Sequence, residues 1–532
     1  MERTCHPLAA LTGLLYLVCL LHGEHAAAVT TTGTADGSEL WGYVQVRPKA
    51  HLFWWYYKSP QRASSPEKPW PTILWLQGGP GGSGAGRGNF LEVGPLDVNL
   101  KPRNSTWLQK ADLIFVDFPV GVGYSYADDP RALVTTDLQA AADGTKLLKA
   151  LAKEIPALQQ EGSPLFLVGE SYGGKLAAMI GLSAARAIHA GQLKLTLGGK
   201  AVSIWIPTEP DKQLAATAQF CLSFTGVVLG DSWISPEDFA LTHARLLQDV
   251  SRLDDNAVGD ANKMAATVQA QIAAAQFAAA EKSWTDLLDL IDSKSGSINI
   301  FNFLLDSGVD SMSATSATGS SSRGITQLMK YSTYLDGQPS GSESNTIGGI
   351  MNGVIKQKLK IIPNNVVWQA ASTPVFDALV NNFMKPSVDQ LLSCGVNVTV
   401  YNGQLDVICP TIGVEAWVQK LTWVGLKNFL SLPRHPLHYC DSSKLIKAFV
   451  RSYENLQFYW ILEAGHSVPV DQPCVALNMI SSIIQSPARL AKVFFCQFTR
   501  KVSVEWSEEP LELAKAATVP VDQPCIAPLS AA

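Results

Sequence analysis

The segment of residues 165–175, LFLVGESYGGK, constrains the fold of this chain more than any other. A run of apolar, strand-like residues ends at a glycine, and Ser171 follows within the pattern G-x-S-x-G. A helix-like segment, KLAAMIGLSAARAI, comes directly after this turn. A strand, a tight turn and a helix in this order favour a sheet covered by helices, with the Ser171 hydroxyl held clear of the sheet as a nucleophile. A plain strand-to-helix turn remains the alternative, because the bare pattern is frequent by chance.

Strand-like and helix-like segments alternate on both sides of this turn. The runs YVQV, HLFWWYY, TILWLQ and DLIFVDF precede it, and VNVTVY and LQFYWIL come late in the chain. The alternation predicts an α/β fold with a central, mostly parallel sheet flanked by helices. Residues 235–365 are Ala-rich and polar, which predicts a helical insertion, or cap, domain. The two parts of the core are then residues 29–234 and 366–488.

Both ends of the chain differ from this core. Residues 1–28 combine an early Arg3 with an apolar run and small residues, which is typical of a secretory signal peptide. The run is shorter than the roughly 20 residues that span a bilayer, so we favour a signal over an uncleaved anchor and expect a secreted or lysosomal protein without a membrane span. Asn104 and Asn397 begin sequons for glycosylation in that pathway. Residues 489–532 form an atypical tail, to which we assign no function. The segment VPVDQPC of residues 468–474 recurs in this tail at residues 519–525.

Charge and cysteine content narrow the partners and the redox chemistry. The formal net charge is −5 and no basic run is present, so we predict no nucleic-acid partner. The chain has nine cysteines, and an odd number remains once Cys5 and Cys19 are removed with the predicted signal. Some should pair in an oxidising compartment, and at least one thiol stays free or pairs outside the chain. The sequence leaves the disulfide pattern and the oligomeric state open.

A serine nucleophile needs a base, and the base needs an acid that orients it. Asp406 comes just beyond the strand-like run VNVTVY, and His466 comes just beyond LQFYWIL. The order Ser171, Asp406, His466, with each residue at a strand end, is that of the α/β-hydrolase fold. Taken singly, Asp406 is also readable as a turn cap and His466 as a loop imidazole. The agreement in order and position favours the catalytic interpretation.

A glycine-rich turn follows an earlier strand, in ILWLQGGPGG at residues 73–82. Acyl transfer needs backbone N–H groups that stabilise an oxyanion, and this is where such a loop belongs in an α/β-hydrolase. The spacing fits neither of the common phosphate-binding patterns. The turn is therefore predicted to supply an oxyanion donor.

Seven sequence blocks together resemble the serine carboxypeptidase family of carboxypeptidase Y-like α/β-hydrolases. They are WLQGGPGG (75–82), EVGPLD (92–97), VDFPVGVGYSY (116–126), GESYGGK (169–175), GDSWISP (230–236), YNGQLDVI (401–408) and AGHSVPVDQP (464–473). The resemblance covers roughly residues 40–484. It implies an enzyme that removes C-terminal residues from peptides or proteins at acidic pH, with no metal and no organic cofactor.

The resemblance also implies roles for individual residues. The catalytic residues would be Ser171, Asp406 and His466, and the backbone N–H groups of Gly79 and Tyr172 would form the oxyanion hole. The free carboxylate of the substrate would be bound by Gln77, Gly78, Glu92 and Glu170. Two close carboxyls hold a shared proton, and in that state they can donate a hydrogen bond to a third carboxylate.

Three residues depart from the common family pattern. Gln77 stands where many members have Asn, Gly82 where they have Cys, and Ser467 where they have Met. A displaced carboxylate site, a missing disulfide and a smaller apolar contact near the leaving residue are the expected effects. Two alternatives remain open on sequence alone: an esterase or acyltransferase on the same fold, and a secreted binding protein with an impaired site.

Overall fold

The computed structural model describes residues 29–63, 69–159, 163–193, 226–306, 346–383, 385–440 and 445–485. The predicted signal peptide and the C-terminal tail lie outside these ranges. The strands of the described part are β1 Val29–Gly33, β2 Glu39–Arg47, β3 Ala50–Tyr57, β4 Thr72–Leu76, β5 Asp112–Val116, β6 Tyr126–Ala127, β7 Leu165–Glu170, β8 Gly226–Gly230, β9 Val398–Gly403, β10 His435–Leu437, β11 Ala448–Tyr453 and β12 Leu456–Ile461.

Helices occupy most of the remaining described chain. The α-helices are α1 Asp137–Glu154, α2 Pro156–Gln159, α3 Tyr172–His189, α4 Pro236–Asp249, α5 Asp255–Ala273, α6 Phe277–Ser295, α7 Ile347–Ile350, α8 Lys356–Leu359, α9 Thr373–Leu379, α10 Val388–Ser393, α11 Thr411–Gln419, α12 Leu426–Ser431, α13 Val468–Asp471 and α14 Pro473–Ile483. Two π-helices run over Gly84–Val93 and Met351–Ile355. Short 3₁₀ turns lie at Trp107–Gln109 and Pro130–Ala132.

The twelve strands of the described part form a single mixed sheet in the order β1-β2-β3-β5-β4-β7-β8-β9-β12-β11-β10, with β6 beside β3. The central strands β5, β4, β7, β8, β9 and β12 pair in parallel. Both flanks are antiparallel. The predicted parallel centre is confirmed, and it places the carboxyl ends of β4, β7, β8, β9 and β12 along one edge of the sheet.

Two apolar layers cover the sheet because alternate residues of each strand face opposite sides. On β4, Leu74 packs with the layer that includes α1 and α3, whereas Ile73 and Trp75 pack with the layer that includes α14. The central strands are buried on both faces, which explains their continuous apolar sequences. The sheet edge that carries the predicted site residues is therefore held between two packed cores.

The described part of the predicted cap consists of α4, α5 and α6, which pack against one another, and of short helices between residues 347 and 359. The ring of Trp284 on α6 lies 4.9 Å from that of Trp233, so this helical segment reaches the sheet edge. The proposed domain boundaries remain a prediction. Within the described chain, we find no helix with the length and apolarity needed to cross a membrane.

The cysteines fall into paired and free forms. Cys440 and Cys474 form a disulfide, and Cys394 is also disulfide-bonded. Cys409 carries a free, buried thiol. A free thiol is what the odd cysteine count led us to expect.

Candidate active site

Ser171 lies on a strained turn between the end of β7 and the first residue of α3. Its φ of 59° and ψ of −128° are uncommon for a residue with a side chain. A Cβ on Gly78 would lie 2.4 Å from the Ser171 Cβ, and a Cβ on Gly173 would lie 2.1 Å from a backbone oxygen of β4. Only glycine at these two positions lets the glycine-rich loop approach the serine, and α3 approach β4, so closely.

His466 and Asp406 form a buried pair at the ends of two neighbouring strands. His466 Nδ1 lies 2.8 Å from Asp406 Oδ2, and the side chains are 1% and 0% exposed. The other oxygen of Asp406 accepts a hydrogen bond from the backbone N–H of Cys409 at 3.1 Å. The backbone N–H of His466 donates to the carbonyl of Phe301 at 2.7 Å. The imidazole is thus oriented through both its ring and its backbone.

Ser171 and His466 line one cavity of about 60 Å³ at the sheet edge. Gly79 and Tyr172 also line it, and its apolar walls include Trp233, Trp284, Phe301 and Phe376. Because Tyr172 is the first residue of α3, its N–H is among those that the helix itself does not use. The cavity therefore presents a hydroxyl, an imidazole and a helix N-terminus to an apolar space.

A buried ionic network anchors the side chain of Tyr172. Its hydroxyl lies 2.7 Å from Asp137 Oδ1 and 3.0 Å from the carbonyl of Leu379. Lys175 Nζ lies 2.7 Å from Asp137 Oδ2, and this ion pair is 0% and 1% exposed. Burial lowers the pKa of Lys175, while the charge of Asp137 opposes that change. The network fixes the first turn of α3 beneath the cavity.

A cluster of acids and one amide lies beside the nucleophile. Gln77 Nε2 donates to Glu92 Oε1 at 2.9 Å and to Glu170 Oε1 at 3.3 Å. Trp75 Nε1 donates to Gln77 Oε1 at 2.8 Å, which sets the orientation of the amide. Gln77, Glu92 and Glu170 are 1%, 1% and 0% exposed. The extra methylene of Gln77 does not prevent its amide from reaching both carboxyls.

Ser467 joins this cluster, which the sequence interpretation did not anticipate. Its hydroxyl is buried and donates to Glu92 Oε2 at 2.9 Å. Burial raises the pKa of Glu92, although its hydrogen-bond partners oppose the rise. One of those bonds joins Glu92 to Glu170, and two carboxyls can form it only when they hold a proton between them. The residue expected to shrink an apolar contact is instead a polar partner of the acid pair.

Gly82 is required by the packing of its own loop. Its N–H donates to the Gly78 carbonyl at 3.0 Å, and a Cβ at Gly82 would lie 2.2 Å from that oxygen. A cysteine at this position would displace the loop. The departure at Gly82 thus fits the local backbone, as well as removing a possible disulfide partner.

Within the described chain, the site contains three groups with metal-ligand chemistry. A ligand atom from each of Asp406, Cys409 and His466 lies within 4.8 Å of the others. Burial raises the pKa of the Cys409 thiol well above its ordinary value, whereas a metal prefers the thiolate. Asp406 and the facing nitrogen of His466 are already joined by a hydrogen bond. The donor set therefore suits a proton-transfer site better than a metal site.

The structure brings most of the predicted site residues together. Ser171, His466, Gly79 and Tyr172 share the cavity, and Asp406 lies behind His466. The acid cluster with Gly78 lies directly beside Ser171. The sequon asparagines Asn104 and Asn397 are exposed elsewhere.

Sequence reasoning missed two polar residues, although signals for both were present. Ser467 directly follows His466 in the chain and was treated as a packing change. Asp231 follows the apolar strand GVVLG, and the rule that selected Asp406, an acid just beyond a buried strand, applies to it equally.

Comparison with known proteins gives consistent matches over most of the chain. A family model described as serine carboxypeptidase matches residues 30–203 and 204–486. Serine carboxypeptidase-like 51 of Arabidopsis thaliana is 50% identical over 493 residues, covering 90% of this chain and 99% of that protein. Retinoid-inducible serine carboxypeptidase of Rattus norvegicus is 40% identical over 480 residues, covering 88% and 97%.

One solved structure supports the fold. A prohormone-processing carboxypeptidase of Saccharomyces cerevisiae, Kex1(delta)p, aligns with a TM-score of 0.60 at 21% identity. The alignment covers 84% of this chain and 91% of that one. At this identity the likeness concerns the fold alone.

Proposed function

The chain belongs to the serine carboxypeptidase family, and from that premise we propose that it removes C-terminal residues from peptides or proteins through an acyl-enzyme on Ser171. The observation that carries this proposal is that two buried pairs of side chains lie close to Ser171. The hydrogen-bonded pair of His466 and Asp406 shares a sheet edge with Ser171, and the buried pair of Glu92 and Glu170 lies directly beside it.

In the acylation step, Ser171 Oγ attacks the carbonyl carbon of the last peptide bond. His466 Nε2 takes the hydroxyl proton, while its Nδ1–H stays bonded to Asp406. The N–H groups of Gly79 and Tyr172 stabilise the oxyanion. The C–N bond then breaks, and His466 returns the proton to the leaving amine. Water attacks the resulting ester by the same path in reverse and regenerates the serine.

Recognition of the free C-terminus depends on the protonated acid pair. Burial raises the pKa of Glu92, so the pair holds its proton in acidic solution. In that state it donates a hydrogen bond to the substrate carboxylate, with Gln77 and the backbone of Gly78 as further contacts. When the pH rises through the raised pKa, both carboxyls ionise and repel the substrate. Activity is therefore favoured at acidic pH and falls as the solution becomes neutral.

An acidic optimum agrees with the proposed route of the protein. A signal peptide at residues 1–28 directs the chain to the secretory pathway, and the mature enzyme acts outside the cell or in the lysosome. The exposed positions of Asn104 and Asn397 allow a glycan to be attached at either sequon. The substrate is a peptide or protein with a free C-terminus.

The proposal is tested with purified, folded protein and two measurements. A fluorophosphonate probe should label wild type at Ser171 and fail to label Ser171→Ala, while Ser482→Ala, which removes a hydroxyl from α14, should be labelled normally. N-blocked dipeptides should be cleaved at acidic pH when the C-terminus is free and resist cleavage as their C-terminal amides. Equal turnover of acids and amides would contradict the carboxylate site and favour an esterase or acyltransferase. Wild type without label at Ser171 would contradict the nucleophile itself.

A further inference from the structure

Asp231 occupies a position in the sheet edge that the mechanism above does not use. It follows the last residue of β8, which lies between β7 and β9, the strands that precede Ser171 and Asp406. Its side chain is 0% exposed. Its backbone N–H donates to the carbonyl of Tyr401 at 2.9 Å, and its φ is 42°. A buried acid in an uncommon backbone conformation, next to the proposed triad, calls for a physical reason.

The two oxygens of Asp231 have different surroundings. Oδ1 accepts a hydrogen bond from the backbone N–H of Gly403 at 2.7 Å. Gly403 ends β9 and begins the loop that carries Asp406, whose own N–H donates back to the Gly403 carbonyl at 3.3 Å. Oδ2 is buried and receives no hydrogen bond from any donor in the described chain. Oδ1 therefore holds the start of the loop that carries Asp406, which we call the acid loop, whereas Oδ2 is left without a donor.

The neighbouring acid is Asp406, whose loop Asp231 holds through Gly403. The two carboxyl groups lie within hydrogen-bonding reach of each other, and a hydrogen bond between them needs a proton on one of them. Asp406 already accepts bonds from His466 and from the N–H of Cys409 at its two oxygens. A carboxylate surrounded by donors is best satisfied in its charged form. The proton of the pair therefore belongs to Asp231.

The electrostatic surroundings agree with this assignment. Burial, followed by the charge of Asp406, raises the pKa of Asp231 well above its ordinary value. The other charged group that faces it is Asp471, which also raises the pKa. Tyr401 and Cys409 face the same region, and burial keeps both neutral. None of these groups brings a positive charge that would stabilise an ionised Asp231.

We propose that Asp231 is a positioning residue that donates a hydrogen bond from its neutral carboxyl to Asp406 and holds the acid loop through Gly403. The proposal rests on the function assigned above, because it acts through Asp406 and His466. It makes two requirements of position 231: an acceptor for the N–H of Gly403 and a donor for Asp406. Asparagine meets both, since its amide has one acceptor and one donor end, whereas alanine meets neither.

The consequences for catalysis have a definite sign. Without the donor, more negative charge remains on Asp406 and favours the protonated imidazole of His466. The base is then available only at higher pH, so the acid limb of the pH–rate profile, where the rate rises with pH, moves to higher pH. Loss of a hydrogen bond to a charged group corresponds to roughly a 10- to 100-fold change in such a protonation equilibrium, so the rate of serine activation should fall by that factor at pH values below the shifted limb. Asp231 does not line the cavity, so substrate KM should change by no more than about twofold.

The test measures the rate of fluorophosphonate labelling at Ser171 against pH, because this reaction needs the base but no substrate carboxylate. Asp231→Asn should stay within about threefold of wild type with an unchanged acid limb, and Asp231→Ala should be slowed by the roughly 10- to 100-fold stated above, with its limb at higher pH. Asp143→Asn, which alters a remote buried carboxyl, is the control and should match wild type.

Each outcome decides the question. Asp231→Asn as slow as Asp231→Ala would overturn the proposal, as would Asp231→Ala as fast as wild type. If Asp231→Ala fails to fold, Asp231→Asn decides alone: a retained profile supports the donor role, and a lost one refutes it. Failure of wild type to label at Ser171 would overturn the proposed function and this inference together. Labelling of wild type without cleavage of free-acid peptides would overturn only the carboxypeptidase assignment.

Discussion

Replacement of Ser467 by alanine offers a sharp test of the acid pair, because the change is small and its sign is counterintuitive. The Ser467 hydroxyl donates to Glu92 Oε2 at 2.9 Å, and both groups are buried. This bond favours the ionised form of Glu92 and opposes the rise in its pKa that burial causes. Deleting the hydroxyl should therefore make Glu92 easier to protonate.

The size of the effect follows from the energy of one buried hydrogen bond. A bond to a charged acceptor contributes about 1.5 kcal/mol, and a difference of about 1.4 kcal/mol between two protonation states shifts a pKa by one unit. The protonated pair should then persist to a pH about one unit higher in Ser467→Ala than in wild type. Because the protonated pair is the form proposed to bind the substrate carboxylate, the alkaline limb of activity should move upward by the same amount.

The assay is kcat/KM against pH for an N-blocked dipeptide with a free C-terminus. Ser235→Ala is the matched control, since its hydroxyl donates to the buried carboxyl of Asp238 away from the acid pair, and its limb should not move. Labelling by the fluorophosphonate probe should be unaffected by Ser467→Ala. A limb that stays in place, or moves to lower pH, would refute the reasoning about the pair.

Three further predictions concern stability, each measured as the free energy of unfolding in urea. Gly82→Cys should lower the free energy of unfolding by about 1–3 kcal/mol through steric overlap within the glycine-rich loop. Gly259→Ala, where a Cβ meets no neighbouring atom, should raise it by about 0.5–1 kcal/mol. Equal effects of the two substitutions would contradict the packing argument. Lys175→Met leaves the carboxylate of Asp137 buried without its cation and should cost about 3–5 kcal/mol, and a loss below about 1 kcal/mol would show that the pair is dispensable. Burial raises the pKa of Asp117 to about 6 from 3.8, so the folded state keeps a proton that the unfolded chain releases first. Stability should fall by about 2 kcal/mol as the pH rises from 4 to 6, and the fall should be smaller by that amount in Asp117→Asn. Identical profiles would exclude this carboxyl as the source.

The parts of the site that the sequence predicts well are those fixed by strand ends. Ser171, Asp406 and His466 each follow a run of buried residues, and parallel strands bring their carboxyl ends to one edge. A strand of this kind is visible in sequence because burial on both faces makes it continuously apolar. Position along the chain could therefore be converted into position in space for these residues.

Other features depend on contacts that no local pattern records. The segment Gly84–Val93, GAGRGNFLEV, contains three glycines and reads as a turn, yet it forms a π-helix whose residues are almost all buried. Tertiary packing overrides its weak helix propensity. The hydroxyl of Ser467 and the carboxyl of Asp231 likewise acquire their roles from strands and loops distant in sequence. The strand order and the antiparallel flanks likewise arise from pairing between strands that are distant in sequence.

The topology of the sheet has a consequence for the timing of activity. β12, which precedes His466, is the last strand of the described sheet to be synthesised, and it enters beside β9 after β7 and β8 have been made. Until it pairs, the growing polypeptide has a hydroxyl without a proton acceptor. On the proposed mechanism, a ribosome-bound or prematurely terminated product is thus chemically inert. Hydrolytic capacity appears only when the late β-strand has joined the sheet.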